Sequence, residues 1–338
     1  MDLSYLWFGI VGFFFIGYFI LDGFDFGVGM SLPFVARNNE ERRVVINTIG
    51  PVWDLNETWV IVGGASLFAA FPMWYATLFS GFYLALLLIL ISLILRGVSF
   101  EYRHQGKGAK WTGLFDTFII IGSVVPALLW GVAFANIIQG VPIDENGNFT
   151  GSLLTLLNPY GLLGGVVTLA LFFMHGLIYL ALKSEGEIRD RARSLAVTVG
   201  LVAVPVGGGW LLWTVLQHAS VSHVLVIVAF ALLTALALVA AILLTRSGAD
   251  GKAFAAMAMT IAFAVLTILS ALFPNVMPSS TDAAYSLTIE NASSSTYTLT
   301  VMTWVAAFAL PIVLAYQAWT FWIFRKRVTV ASIPVSAH

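Results

Sequence analysis

Apolar positions along this chain form long runs, broken by short polar stretches that hold most of the Arg, Lys and Asn. They neither alternate as half-buried strands would nor fall into narrow helical stripes. A membrane-crossing helix needs about 20 mostly apolar residues. By that measure nine spans are predicted, at roughly 6–32, 45–71, 74–95, 113–138, 160–182, 195–217, 222–245, 253–273 and 298–324. Spans two and three are joined by a very short turn at Phe71-Pro72, and Pro51 and Pro126 invite kinks. The expected architecture is all-α and integral to the membrane, one polytopic domain over 1–338. Helices 1–4 (about 6–138) and helices 5–8 (about 160–273) would each form a four-helix bundle, with helix 9 (about 298–324) peripheral. A faint repeat agrees: the same interval separates Trp7 from Asp22 and Tyr160 from His175.

Basic residues test the span count. Arg37, Arg42 and Arg43 follow span one; Arg96, Arg103, Lys107 and Lys110 follow span three; Lys183, Arg189, Arg191 and Arg193 follow span five. Arg246 and Lys252 follow span seven, and Arg325, Lys326 and Arg327 follow span nine. These are all 16 Lys and Arg of the chain. With nine spans they fall on one side, which the positive-inside rule makes cytoplasmic. The N-terminus is then outside and the C-terminus cytoplasmic.

Composition agrees: 59% of residues are hydrophobic, 10% are charged and mean hydropathy is +0.93. So few charges could not cover a soluble surface, for which about 25% is usual. The absence of cysteine excludes disulfides, thiolate iron–sulfur clusters and Cys-zinc sites in this chain. The opening MDLSYLWFG lacks the basic region and cleavage site of a signal peptide and reads as the start of span one. A net charge of −1 gives no electrostatic case for nucleic acid.

Against this background "LDGFDFGVGM" at 21–30 stands out, with Asp22 and Asp25 on one helix face. Asp25 precedes Arg37 by about 18 Å of helix and Asp54 follows Arg43 by about 16 Å, at 1.5 Å per residue. The two aspartates are thus expected at similar depth, with Glu57 one turn beyond Asp54. Four carboxylates would then line one buried region, with no basic residue at that depth to pair them. Such groups suit a proton relay from the cytoplasm. The alternative is that they are neutral or bonded to backbone and hold helices together. Gly23 and Gly27 make the small-xxx-small pattern of close helix packing. Asp116 is read as a favourable charge at the N-terminus of span four, and Glu101 as a local partner of Arg96 or Arg103.

His175 is the one histidine well inside a span; His104, His218, His223 and His338 lie in loops, at a turn or at the terminus. A bis-His haem would need a second facing ligand, and Met174 and Met257 sit among apolar neighbours. The chain is therefore expected to bind no haem of its own. Nucleotide-binding loops, HExxH and serine elbows are absent from the sequence.

Five stretches together resemble subunit II of the cytochrome bd quinol oxidases: WFGIVGFFFIGYFILDGFDFGVG (7–29), ERRVVINTIGPVWDLNETW (41–59), FAAFPMWYATLFSGFYLALLLILISLILRGVSFEYR (68–103), GVAFANIIQGVP (131–142) and LNPYGLLGG (157–165). The resemblance implies one half of a heterodimeric oxidase that oxidises quinol, menaquinol or ubiquinol, and reduces dioxygen to water. It places haem b and haem d in partner subunit I and none in this chain. It maps the family's membrane aspartate onto Asp54 of "PVWD", its "DGFD" motif onto Asp22 and Asp25, and the tryptophan near its dioxygen entrance onto Trp59 of "ETW". Where the family often has Gly after that aspartate, this chain has Leu55. The expected proton pathway is Asp54, Glu57, Asp25 and Asp22, in a bacterial plasma membrane. Membrane lipid and a small single-span accessory subunit are the further partners expected. A proton-coupled secondary transporter and a purely structural membrane subunit are the competing readings. The first lacks a matched pair of broken helices in corresponding halves.

Overall fold

The computed structural model describes residues 2–106, 108–218, 223–329 and 331, so Lys107 and His338 lie outside the described residues. The helices are α1 (Leu3–Val35), α2 (Asn39–Ile49), α3 (Trp53–Ala70), α4 (Pro72–Gly81), α5 (Tyr83–Tyr102), α6 (Ala109–Gln139) and α7 (Leu153–Leu156). They continue as α8 (Pro159–Lys183), α9 (Gly186–His218), α10 (Val224–Arg246), α11 (Asp250–Leu272) and α12 (Thr296–Ile323). A two-stranded antiparallel ribbon, β1 (Asn275–Met277) with β2 (Leu287–Thr288), lies between α11 and α12.

Eight of these helices are long and apolar enough to cross a membrane: α1, α5, α6, α8, α9, α10, α11 and α12. The second expected span is broken. α2 ends at Gly50 and α3 restarts at Trp53, around Pro51, whose ring cannot continue a helix. Asp54, Asn56 and Glu57 dilute the first turns of α3, which keeps it out of the eight. The third expected span is likewise two pieces, α4 and α5, meeting at Phe82.

α1 is the hub, packing on α3, α6, α8 and α11, and α12 is the helix least covered by the rest. Small residues set the closest crossings. A Cβ on Gly27 would stand 2.0 Å from the Phe172 carbonyl oxygen and 2.6 Å from the Gly176 Cα, so α1 and α8 cross nearly backbone to backbone. At Gly122, where α6 meets α5, a Cβ would meet the Ser92 carbonyl oxygen at 2.5 Å and the Arg96 Cβ at 2.7 Å.

The loop after α6 is knitted to the ribbon region, Val141 N–H donating to the Pro278 carbonyl and Ser280 N–H to the Val141 carbonyl. Within it Asp144 accepts backbone N–H groups from Asn148 (2.8 Å) and Asn146 (2.9 Å), and Gly147 supplies the φ of +79° that closes the turn. At the opposite end Asp250 of α11 takes Arg189 at 2.6 Å and Arg193 at 2.7 Å from α9. Lys183 Nζ donates to the carbonyls of Phe324 and Lys326, fastening the end of α12 to α8.

Two outcomes follow. Gly27→Ala should force α1 from α8 and lower the thermal stability of the purified protein by about 1–3 kcal/mol, whereas Gly208→Ala, with nothing within 4 Å of its Cβ, should be neutral. The backbone donors of Asn148 and Asn146 hold the Asp144 carboxyl below the usual carboxylate range. A depressed value means the turn's stabilisation is present above the ordinary aspartate range and is lost as pH falls through the lowered value. Amide exchange at Asn146 and Asn148 should therefore stay slow down to that range and accelerate beneath it, and Asp144→Asn should flatten the dependence.

Candidate functional site

The inward face of α3 carries Asn56, Trp59, Gly63, Leu67 and Ala70, spaced three or four apart as one helix side requires. Asp54 stands two residues from Asn56, roughly 200° around the helix, and is exposed. The break at 50–52 ends the continuous helix on which the depth argument relied. Asn56, rather than Asp54, is thereby turned toward α1. The four carboxylates do not line one buried region.

Three of them do converge. Asp22 and Asp25 of α1 are fully buried, and Glu57 of α3 reaches the same place with its side chain 22% exposed. The expectation that no base lies at that depth is wrong. Arg96, counted above with a basic loop, sits inside α5 because that helix runs on to Tyr102, and it is fully buried. Its Nη2 donates to Asp22 Oδ1 at 2.6 Å and to Glu57 Oε2 at 2.9 Å. Its guanidinium carbon lies 4.3 Å from the centre of the Phe26 ring, a cation–π contact. Among the described residues Arg96 Nε and Nη1 and Asp25 Oδ1 have no hydrogen-bond partner.

Asp25 is met from α3, Asn56 Nδ2 donating to Asp25 Oδ2 at 2.8 Å. Gln317 of α12 donates to Asn56 Oδ1 at 3.1 Å, and Trp59 Nε1 donates to Gln317 Oε1 at 3.5 Å. The Trp59 ring covers Gly17, where a Cβ would be 2.1 Å from it, and packs on Phe13 and Phe14. On its other side an apolar groove of about 530 Å³ opens between α3 and α12, bordered by Leu55, Ile61, Val305, Leu310 and Gln317.

Arg96, Asn56 and Gln317 are the members that sequence reasoning missed. Arg96 belonged by proximity to a run of basic residues. Asn56 lies between Asp54 and Glu57, where inward spacing alone could have marked it, and nothing local marks Gln317. Two further readings are corrected. Asp116 lies well inside α6 and is paired with Arg42 at 2.7 Å and Arg103 at 2.6 Å. Arg96 and Arg103 thus turn to Asp22 and Asp116, away from Glu101.

The sequence model for cytochrome bd terminal oxidase subunit II matches residues 3–324. The chain belongs to that family. It is 40% identical over 329 residues to the cytochrome bd ubiquinol oxidase subunit 2 of Bacillus subtilis, covering 97% of each chain. It is also 40% identical over 370 residues to the cytochrome bd-I ubiquinol oxidase subunit 2 of Escherichia coli K12, covering 99% of this chain and 98% of the other. Its fold matches a chain in the structure of bd oxidase from Geobacillus thermodenitrificans with a TM-score of 0.77 at 14% identity, over 96% of this chain and 99% of that one.

This bd subunit II is thus a multi-pass bacterial membrane protein and part of an oxidoreductase, and the transporter reading lapses. Among the described residues no three His, Asp or Glu side chains are grouped to hold a metal ion. His175 is fully buried. Its Nε2 is 3.0 Å from the Ile20 carbonyl, its ring stacks on Phe254 with centroids 4.8 Å apart, and Phe24 meets it edge-on.

Truncating one member of a buried ion pair strands the other charge. Arg96→Leu should accordingly destabilise the assembled oxidase by about 3–5 kcal/mol, read by heat-induced loss of the intact complex. Adding Asp22→Asn should recover part of that loss, since the two side chains touch and their effects are not additive.

Proposed function

We propose that this chain is the haem-free half of a quinol:dioxygen oxidoreductase. It braces a haem-bearing subunit I and gives protons a way in from the cytoplasm. Nine spans in two four-helix bundles, with α12 peripheral, N-terminus outside and C-terminus cytoplasmic, are the arrangement it would adopt. Haem b and haem d in subunit I would supply the electron transfer and dioxygen chemistry, and ubiquinol or menaquinol the electrons. The naming of the relatives as ubiquinol oxidase subunits supports this assignment.

For the proton route, the observation that carries the reading is Glu57. It is the one carboxylate of the buried cluster with exposed side-chain surface, and it follows exposed Asp54 by a single turn of α3. Asp54 would take protons at the surface of this subunit, and Glu57 would pass them toward Asp22 and Asp25. Trp59 would border the dioxygen path, a role supported by its place on the apolar groove. Membrane lipid and a small single-span accessory subunit are its proposed further neighbours. A structural role for Asp22 and Glu57 is the second reading, favoured by their shared bond to Arg96.

Asp54→Asn in the assembled complex should slow quinol-driven oxygen uptake, and proton uptake from the inner face, roughly tenfold, which is about 1.4 kcal/mol of barrier. Glu57→Gln should slow both less. Unchanged turnover in Asp54→Asn at full haem content would leave Asp54 a structural residue.

A further inference from the structure

An asparagine side chain can face a carboxylate with its NH₂ group or with its oxygen, and the two choices have opposite consequences for that carboxylate. In this chain the choice is made at both ends of a hydrogen-bonded series. Trp59 at one end has a ring N–H that can only donate. It is directed at Gln317 Oε1 at 3.5 Å, so the Gln317 oxygen must accept and its NH₂ must point onward. That NH₂ lies 3.1 Å from Asn56 Oδ1, so the Asn56 oxygen is used in turn and its NH₂ faces α1. There Asn56 Nδ2 meets two groups, Asp25 Oδ2 at 2.8 Å and the Leu21 carbonyl at 3.4 Å. The carbonyl can only accept, so it demands the same orientation independently.

We infer that Trp59, Gln317 and Asn56 form a hydrogen-bond series of single polarity that holds Asp25 Oδ2 permanently as an acceptor. Any proton on Asp25 is then confined to Oδ1, the oxygen with no hydrogen-bond partner among the described residues. Asn56 and Gln317 are positioning residues in this scheme, acting on Asp25 without exchanging protons themselves. Three helices take part: α1 supplies the carboxylate, α3 the asparagine and tryptophan, and α12 the glutamine. α12 has few buried residues, namely Leu299, Gln317 and Thr320. One of those three is spent on this contact. Charged and titratable groups facing Asp25 are Asp22 on α1, Glu57 on α3, Arg96 on α5 and Tyr179 on α8; α12 contributes the uncharged Gln317 alone.

The polarity stands on the donor and acceptor chemistry of the four side chains, while its use in proton transfer rests on the reading of the previous section. The test separates the two. Intact complexes are prepared with isotope-labelled aspartate carboxyl groups, and the Asp25 infrared band is isolated by subtracting the spectrum of Asp25→Asn. Asp25 contributes a carboxyl or a carboxylate band in either protonation state. Gln317→Met removes the series at its middle. Gln317→Leu keeps a side chain of similar bulk but removes both the acceptor for Trp59 and the NH₂ for Asn56. Both should shift the Asp25 band at full haem content, and adding Gln317→Met to Asn56→Leu should shift it no further than Asn56→Leu alone. An Asp25 band unmoved in the Gln317 variants that assemble overturns the inference, and Gln317→Leu carries the test if Gln317→Met fails to assemble. The pH profile of oxygen uptake is recorded alongside. If Asp25→Asn leaves that profile unchanged while the band shifts occur, the proton route through Asp25 fails and the polarity series stands.

Discussion

Arg96 is buried to the last atom, and its guanidinium reaches carboxylates on two other helices. In a membrane interior a lone guanidinium or carboxylate is expensive, so each holds the others in place. The bond to Asp22 ties α5 to α1, and the bond to Glu57 ties α5 to α3. These three helices enclose the cluster of Asp22, Asp25, Glu57 and Arg96. Phe26, beneath the guanidinium, gives the charge an aromatic face where water is excluded.

That arrangement works only because backbones come close around it. The Arg96 Cβ is tucked against Gly122 of α6, and Gly29 of α1 leaves room for Ser123 one residue on. Gly27 and Gly176 bring α1 against α8. Hydrophobic burial gives no preference between helices already in lipid, so packing of this kind and interhelical hydrogen bonds hold such bodies together. The "DGFDFGVG" stretch therefore serves two purposes at once. Its glycines bring neighbouring helices near, and its aspartates are what those helices reach.

The polar site is divided by chemistry as well as by position. Asp22 is committed to an arginine, whereas Asp25 is met by the neutral Asn56 amide. Glu57 joins the first group but keeps part of its side chain at the surface, and exposed Asp54 lies one turn before it. Trp59 connects this interior to the apolar groove on the far side of α3, since its ring lines the groove and its N–H enters the polar series. Two carboxylates and a wall of the apolar cleft thus share one short segment, residues 54–59.

Much of this protein was legible in its sequence. Apolar runs long enough for lipid imposed helices, because backbone groups in a membrane must bond within their own segment. The motifs around Asp22, Asp25 and Asp54 identified the family, and the glycines announced close packing. What linear spacing could not decide was which side of each helix faces inward. A break of three residues at Gly50-Pro51-Val52 resets the rotation of α3, turning Asn56 inward and Asp54 out. Arg96 looked like the first residue of a basic loop until α5 carried it inside, and Gln317 gained its role from a contact with a helix some 260 positions earlier in the chain. Local composition fixes whether a segment can cross a membrane. Only tertiary packing fixes the rotation and depth at which it does so, and those two quantities select which polar side chains meet.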